Sequence, residues 1–141
     1  MCLESRSLRV HHLPRKPRTC YKVVGIDSRK RMHSPVFFNT EFNPGKTKTD
    51  LSNEEVRTPR GKTYKTYKTG FHVFADKKSA VRYRKWRGTD LKCSTTIILR
   101  CVCENFTAVG KTGIYFPPPN GGCELLPTLV ARTLTPICIE E

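Results

Sequence analysis

This sequence has few acidic residues and no long apolar run. It has 141 residues, with 12 Asp and Glu against 26 Lys and Arg. Its mean hydropathy is −0.50, and no run approaches the roughly 18 apolar residues of a membrane span. Residues 1–6 lack the apolar core of a signal peptide. We therefore expect an intracellular protein that does not contact membranes, with association with a virus particle as the alternative.

Sequence motifs of enzymes are also missing. All three Gly-Lys-Thr triplets lack the earlier glycine of a phosphate-binding loop. There is no Gly-x-Ser-x-Gly motif, and the adjacent glutamates lie in expected loop or tail positions. His72 is the one histidine in a segment with strand character, where a structural role is the more common one. We expect a non-enzymatic protein that needs no cofactor.

The cysteines lack the spacing of a metal site or of a disulfide framework. Their number, seven, is odd, and the sequence contains no Cys-x-x-Cys. Cys101 and Cys103 alternate in a segment of strand character, which places both thiols on one face, where core packing is the simplest role. The only set to test for zinc consists of Cys101, Cys103, Cys123 and His72. We expect no metal site.

Positive charge, by contrast, is abundant and lies in one part of the chain. Residues 1–92 contain 23 Lys and Arg and 8 Asp and Glu, whereas residues 93–141 contain 3 and 4. The net charge of +14 therefore comes entirely from the first part. A chain that is basic only for solubility spreads its charge, so this asymmetry indicates an anionic partner, most simply nucleic acid.

The patterning predicts an α+β fold. We expect one domain with a small, mainly antiparallel sheet of about five or six strands and one amphipathic helix. Strand character occurs at residues 20–26, 71–74, 95–104, 114–116 and 129–139, with a turn near Gly110 and an interruption at Pro136. Residues 1–18 indicate a basic arm with prolines before a domain at 19–141, and residues 45–70 indicate a long, irregular basic loop.

Residues 76–87 predict the helix, with Asp76 placed to cap its first free amide groups. Ala80, Tyr83 and Trp86 share one side of this helix, and we expect that side to dock onto the sheet. Cations occupy most of the opposite side. The candidate nucleic-acid contacts on that side are Lys78, Arg82 and Lys85.

A Lys-Thr-Tyr repeat at residues 62–69 has a period of three, which fits neither a strand nor an amphipathic helix. Two tyrosines between cations suit a single strand of nucleic acid, since rings stack on bases while lysines neutralise phosphates. The alternative is a basic surface loop whose tyrosines pack on their own domain. The candidate contacts here are Arg60, Lys62, Tyr64, Lys65, Tyr67 and Lys68.

Several short motifs occur in a recognisable order. They are Tyr-Lys-Val-Val at 21–24, Ser-Pro at 34–35, Gly-Lys at 45–46, Gly-Phe-His-Val-Phe at 70–74, Ala80 in the following helix and the apolar strand at 98–102. In this order they resemble a loose group of small uncharacterised proteins from bacteria, phages and large DNA viruses. The resemblance spans residues 20–104 and implies a compact β-rich fold with one helix, in a viral or mobile-element setting. It implies no catalytic residues.

Three functional hypotheses follow. The first is a basic protein that binds nucleic acid without strong sequence specificity, through the helix and loop residues named above. The second is a minor structural component of a viral particle, whose arm and loops lie on acidic capsid or assembly subunits. The third is a viral antagonist of host defence that binds a small phosphorylated ligand in a pocket near His72.

Overall fold

The computed structural model describes residues 5–6, 13–33, 41–52, 54–57, 66–87 and 95–140. Within them, the strands are β1 (Ser5–Arg6), β2 (Arg18–Ile26), β3 (Met32–His33), β4 (Lys48–Thr49), β5 (Glu55–Arg57), β6 (Thr66–Lys68), β7 (Phe71–Phe74), β8 (Thr95–Tyr115) and β9 (Cys123–Ile139), and the helix is α1 (Lys77–Arg87). All strand pairings are antiparallel. The predicted α+β class with a mainly antiparallel sheet is therefore confirmed.

A long hairpin formed by β8 and β9 organises the main sheet. Its ladder runs from Leu99 opposite Ile139 to Tyr115 opposite Cys123. The free side of β8 pairs with β2, and that of β9 pairs with β7. Because β7 also pairs with β2, these four strands form a closed circuit. The two-residue strands β1, β3 and β4 extend the main sheet to seven strands.

Both hairpin strands are longer than the sequence pattern predicts. β8 continues through Gly110, where we predicted a turn, and β9 continues through Pro136, where we predicted an interruption. Both predictions are wrong: Gly110 is held in the ladder opposite Thr128, and a register shift between Arg100 and Cys101 accommodates the proline. Pro136 lies opposite Cys101, at this shift, where a missing amide hydrogen is tolerated.

The closed sheet has an apolar layer on each face, since side chains alternate along every strand. The inner layer comprises Cys20, Val24, Phe42, Val73, Ile97, Leu99, Cys101, Cys103, Leu129, Ala131 and Leu134. The outer layer, which α1 covers, comprises Val23, Phe74, Ala80, Tyr83, Ile98, Ile114 and Leu126. β2 and β8 contribute to both layers, as expected for strands at the centre of a sheet.

The helix begins after its predicted cap. Asp76 accepts hydrogen bonds from the backbone amide of Ser79 at 2.7 Å and from its hydroxyl at 3.1 Å. Ala80 and Tyr83 are buried against the sheet, and Trp86 packs on the same layer. The predicted docking side of the helix is thus confirmed. Within the described part of the chain, no helix combines the length and apolar character of a membrane span.

The predicted irregular loop at residues 45–70 contains short strands in its described part. β4 pairs with β9, while β5 and β6 form a separate two-stranded sheet. Arg132 of β9 holds this region, since its guanidinium donates to the carbonyl oxygens of Asp50, at 3.0 and 2.7 Å, and of Ser52, at 2.8 Å. In these residues short strands stand where we expected irregular structure: β4 has a partner distant in sequence, whereas β5 and β6 pair within the segment itself. Residues 53 and 58–65 lie outside the described residues.

One part of the predicted arm joins the sheet. Ser5 and Arg6 form β1 and pair with Lys111 and Gly110 of β8. Residues 13–17 are described without regular structure, and residues 1–4 and 7–12 lie outside the description.

Candidate nucleic-acid interface

Helix α1 concentrates positive charge on the surface of the fold. Its 11 residues include six Lys and Arg and no acidic residue. Residues at spacings of four and seven lie along one side of a helix. The structure therefore brings together the three helix residues predicted from the sequence, which we call the helix stripe: Lys78, Arg82 and Lys85.

The members of the helix stripe differ in their surroundings. Lys78 and Lys85 are exposed, and no acidic side chain of the described residues forms an ion pair with either. Arg82, in contrast, donates from its Nε to Oε2 of Glu124 on β9 at 2.7 Å. The Arg82 guanidinium also lies 5.1 Å from the centroid of the Phe116 ring. Among the described residues, the stripe thus has two charges without an acidic partner and a neutralised one between them.

The start of the helix is connected to the sheet through the carboxylate of Glu140. Lys77 Nζ lies 3.4 Å from Glu140 Oε2, and Arg100 Nε lies 3.2 Å from the other oxygen of the same carboxylate. Glu140 therefore joins α1 to β8 at the end of the C-terminal strand. Lys77 serves the fold in this way, which separates it from the exposed Lys78 beside it.

The aromatic residues of α1 are engaged by the protein itself. The ring of Tyr83 lies 5.1 Å from that of Phe74 and 5.7 Å from that of Trp86, measured between centroids. Trp86 donates from Nε1 to the carbonyl oxygen of Tyr115 at 2.8 Å. Stacking on nucleic-acid bases requires an exposed ring. The helix therefore presents cations to solvent, whereas its two rings are engaged in contacts within the protein.

The predicted loop residues are only partly described. Arg60, Lys62, Tyr64 and Lys65 lie outside the described residues. Tyr67 and Lys68 belong to β6, where Lys68 is exposed and lies directly opposite Glu55 of β5. An opposite charge at this cross-strand position compensates that of Lys68. The structure does not join the described loop residues to the helix stripe, so the two predicted groups remain separate.

Lys22 is a buried cation that our sequence analysis did not single out. It lies in the inner layer with Cys20 and Val24 and is only 8% exposed. Its Nζ donates to the backbone carbonyl oxygen of His72 at 3.0 Å and lies 5.5 Å from the centroid of the Phe42 ring. Burial lowers the pKa of Lys22, because the charged form loses its water shell. This lysine is therefore part of the core and takes no part in the basic surface.

His72 lies on β7 opposite Val130. Burial, and then the nearby Lys22 ammonium, lowers the pKa of His72 to about 3. Its imidazole is neutral at neutral pH and has no charge with which to attract phosphate. This environment gives no electrostatic support to the pocket for a phosphorylated ligand that we considered at this residue.

Three cysteines lie in the inner layer, as the alternation of Cys101 and Cys103 predicts. Cys20 lies opposite Cys101 and accepts a hydrogen bond from the Cys103 thiol, which lowers the pKa of Cys20 and raises that of Cys103. Burial raises the pKa of Cys101 to about 12. Cys123 is exposed, at the other end of the hairpin. Among the described residues, no group of three His, Cys, Asp or Glu side chains could hold a metal ion.

The sequence contains a signal for the buried Lys22 but none for the contact made by Glu124. Lys22 alternates with Cys20 and Val24, so strand periodicity could have placed it on the buried face. Glu124 is 42 residues from its partner Arg82, and no local pattern links them. Its contact depends on how the hairpin lies against the helix.

Comparisons with known proteins add no relative. No protein-family model matches the chain, and neither a curated protein sequence nor a solved structure matches it significantly.

Proposed function

We propose that this protein is a non-enzymatic nucleic-acid-binding protein without strong sequence specificity, and that the helix stripe is its described contact surface. One observation carries the proposal: α1 has six cations and no acid, and its aromatic side packs on the sheet, while Lys78 and Lys85 are exposed to solvent. A helix that only needed to pack on the sheet would not require this excess of one charge.

The spacing of the two exposed lysines suits a phosphate backbone. A separation of seven residues corresponds to about 10 Å along a helix axis. Two ammonium groups at this spacing can contact separate phosphates of one strand and release condensed counterions as they do so. Since neither lysine presents a planar group to a base edge, the contacts carry little sequence information.

The segment with the Lys-Thr-Tyr repeat extends the proposal. Its cations would add phosphate contacts, and Tyr64 and Tyr67 would stack on unpaired bases. The helix stripe alone favours no particular strandedness, whereas the repeat favours single strands. Comparing single-stranded and duplex oligonucleotides for the variant Tyr64→Ala/Tyr67→Ala therefore separates the two contributions.

A salt titration tests the helix contribution. We expect fluorescence anisotropy with mixed-sequence oligonucleotides to show binding at low salt that weakens steadily as salt rises. Lys78→Gln and Lys85→Gln should each make the slope of log K against log salt shallower by about 0.7 to 0.9. The matched control is Lys111→Gln, which removes an exposed lysine of β8 that is not on the helix.

Two results would contradict the proposal. Binding that is absent at low salt would instead favour the structural component of an assembly. A Lys111→Gln effect as large as that of Lys78→Gln would show that only net charge matters and that the helix stripe is not a defined surface.

A further inference from the structure

The middle of the helix stripe is occupied by an arginine that the protein itself neutralises. Arg82 donates to Glu124 at 2.7 Å, and both side chains are partly exposed, at 38% and 42%. Solvent therefore reaches this ion pair, and so can an anion from solution. The Glu124 carboxylate, like a phosphate, is an anionic acceptor for the Arg82 guanidinium.

The geometry also keeps Arg82 ready to bind. The Phe116 ring lies 5.1 Å from the guanidinium carbon and holds the group over an aromatic face. The contact with Glu124 uses Nε, and a guanidinium has further N–H donors on its two terminal nitrogens. Release from Glu124 would leave a positioned arginine between two exposed lysines.

We propose that Glu124 is an internal competitor that holds Arg82 back from phosphate and so limits the affinity of the helix stripe. This inference rests on the proposed function. The wild-type stripe then binds with two effective charges, those of Lys78 and Lys85. Loss of the Glu124 charge adds a third, and the partner is the phosphate backbone of a nucleic acid.

The variant Glu124→Gln tests the competitor directly. It keeps the size of the side chain and removes its charge. With a mixed-sequence duplex, we expect tighter binding and a slope of log K against log salt steeper by about 0.9. With this slope, the ratio of the Glu124→Gln affinity to the wild-type affinity increases about threefold when the salt concentration is lowered fourfold.

Arg82→Gln provides the decisive second variant. On its own, this change leaves the Glu124 carboxylate unpaired between the two exposed lysines, so it should weaken the binding of the wild type. The same change in the Glu124→Gln background should abolish the gain. Circular dichroism and thermal melting of each variant establish that α1 and the hairpin remain folded.

Glu104→Gln is the matched control for net charge. Glu104 is exposed on β8, opposite Thr133, and its removal changes the net charge by the same amount. An equal gain from Glu104→Gln would overturn the competitor, as would wild-type binding that Glu124→Gln leaves unchanged. A double variant Glu124→Gln/Arg82→Gln that keeps the full gain of Glu124→Gln would also overturn it, because the gain would then not depend on Arg82.

If the protein does not bind nucleic acid at all, the binding experiments give a different result. In that case the wild type and every variant, Glu124→Gln included, fail to bind at low salt, and both proposals are lost together. Binding by Glu124→Gln alone would support the competitor strongly, since the third charge would then be what makes binding measurable.

Discussion

Lys22 and Lys78 carry the same side chain in opposite surroundings, and their comparison shows how this fold separates its charges. Lys22 lies inside the closed sheet, among thiols and aliphatic groups, where burial lowers its pKa. Lys78 lies on the outer surface of α1, exposed to solvent. The interior lysine donates to a backbone carbonyl and serves the fold, whereas the exterior one is available to a partner. Both lysines contribute equally to the net charge of the sequence, which therefore does not distinguish them.

The largest expected effect concerns the apolar layer that joins the sheet to α1. Phe74 is fully buried and packs on Tyr83, so it joins the sheet to the helix that carries the basic surface. We expect Phe74→Ala to lower the free energy of unfolding by about 3 to 5 kcal/mol, measured by urea denaturation. Leu51→Ala is the control, because Leu51 is 83% exposed and should change stability by less than about 0.5 kcal/mol. Equal effects of both changes would contradict the described packing.

The second test uses acid. The pKa of His72 is lowered from 6.5 to about 3, so the native protein holds this imidazole neutral while the unfolded chain takes up a proton below pH 6.5. Stability is therefore lost as pH falls through this window, by at most about 1.4 kcal/mol per pH unit. We expect wild-type stability to fall by up to about 3 kcal/mol more than that of His72→Gln between pH 6.5 and 4. If the stabilities of the wild type and of His72→Gln changed equally with pH, the native protein would not hold His72 neutral.

Carboxylates do not produce the same difference. Asp27 also has a lowered pKa, first because it accepts a hydrogen bond from the Arg31 amide, and its stabilising effect is likewise lost in acid. Because Asp27 is present in both proteins, its contribution cancels when the two profiles are subtracted.

The third test removes the interior charge. Lys22→Met keeps a long side chain against Phe42 and ends the cost of burying an ammonium group. We expect a gain of about 1 kcal/mol at neutral pH in urea denaturation. Because the pKa of Lys22 is lowered from 10.5, wild-type stability should rise relative to the variant as pH approaches 10.5, and the gain should shrink. A strongly destabilised Lys22→Met would mean that the hydrogen bond to the His72 carbonyl outweighs desolvation.

The smallest expected effect is on the exterior lysine. Lys78→Gln should change the free energy of unfolding by less than about 0.5 kcal/mol, since an exposed side chain that pairs with no described acidic residue contributes little. Its effect should appear in the salt dependence of binding instead. A clear loss of stability in urea would place Lys78 in the structural framework with Lys77 and remove the contrast with Lys22.

Local patterns predicted part of this fold well. β2, β7 and α1 begin and end within a few residues of their sequence signals, because a turn at Asp27 and a cap at Asp76 mark those ends. The continuous hairpin escaped prediction, since Gly110 and Pro136 are ordinary breakers and only pairing across the ladder overrides them. Strand β4 escaped for a related reason, since its partner β9 is distant in sequence.

The candidate site divides in the same way. Helical periodicity placed Lys78, Arg82 and Lys85 on one side, and this placement is confirmed. Periodicity says nothing about which of them has an acidic partner. That Arg82 meets Glu124 follows from the hairpin end lying beside α1, which depends on contacts between distant residues.

The sequence by itself determined the class of the fold, the position and cap of its helix, and the concentration of cations on that helix. These properties depend on residues within one or two turns, or within one strand, of each other. The tertiary structure alone decided which cations are used by the fold. Lys22 is buried, Lys77 pairs with Glu140 just after β9, and Arg82 pairs with Glu124 of β9. Lys78 and Lys85 are exposed and form no ion pair with a described acidic residue, because burial and ion pairing depend on which distant segments meet.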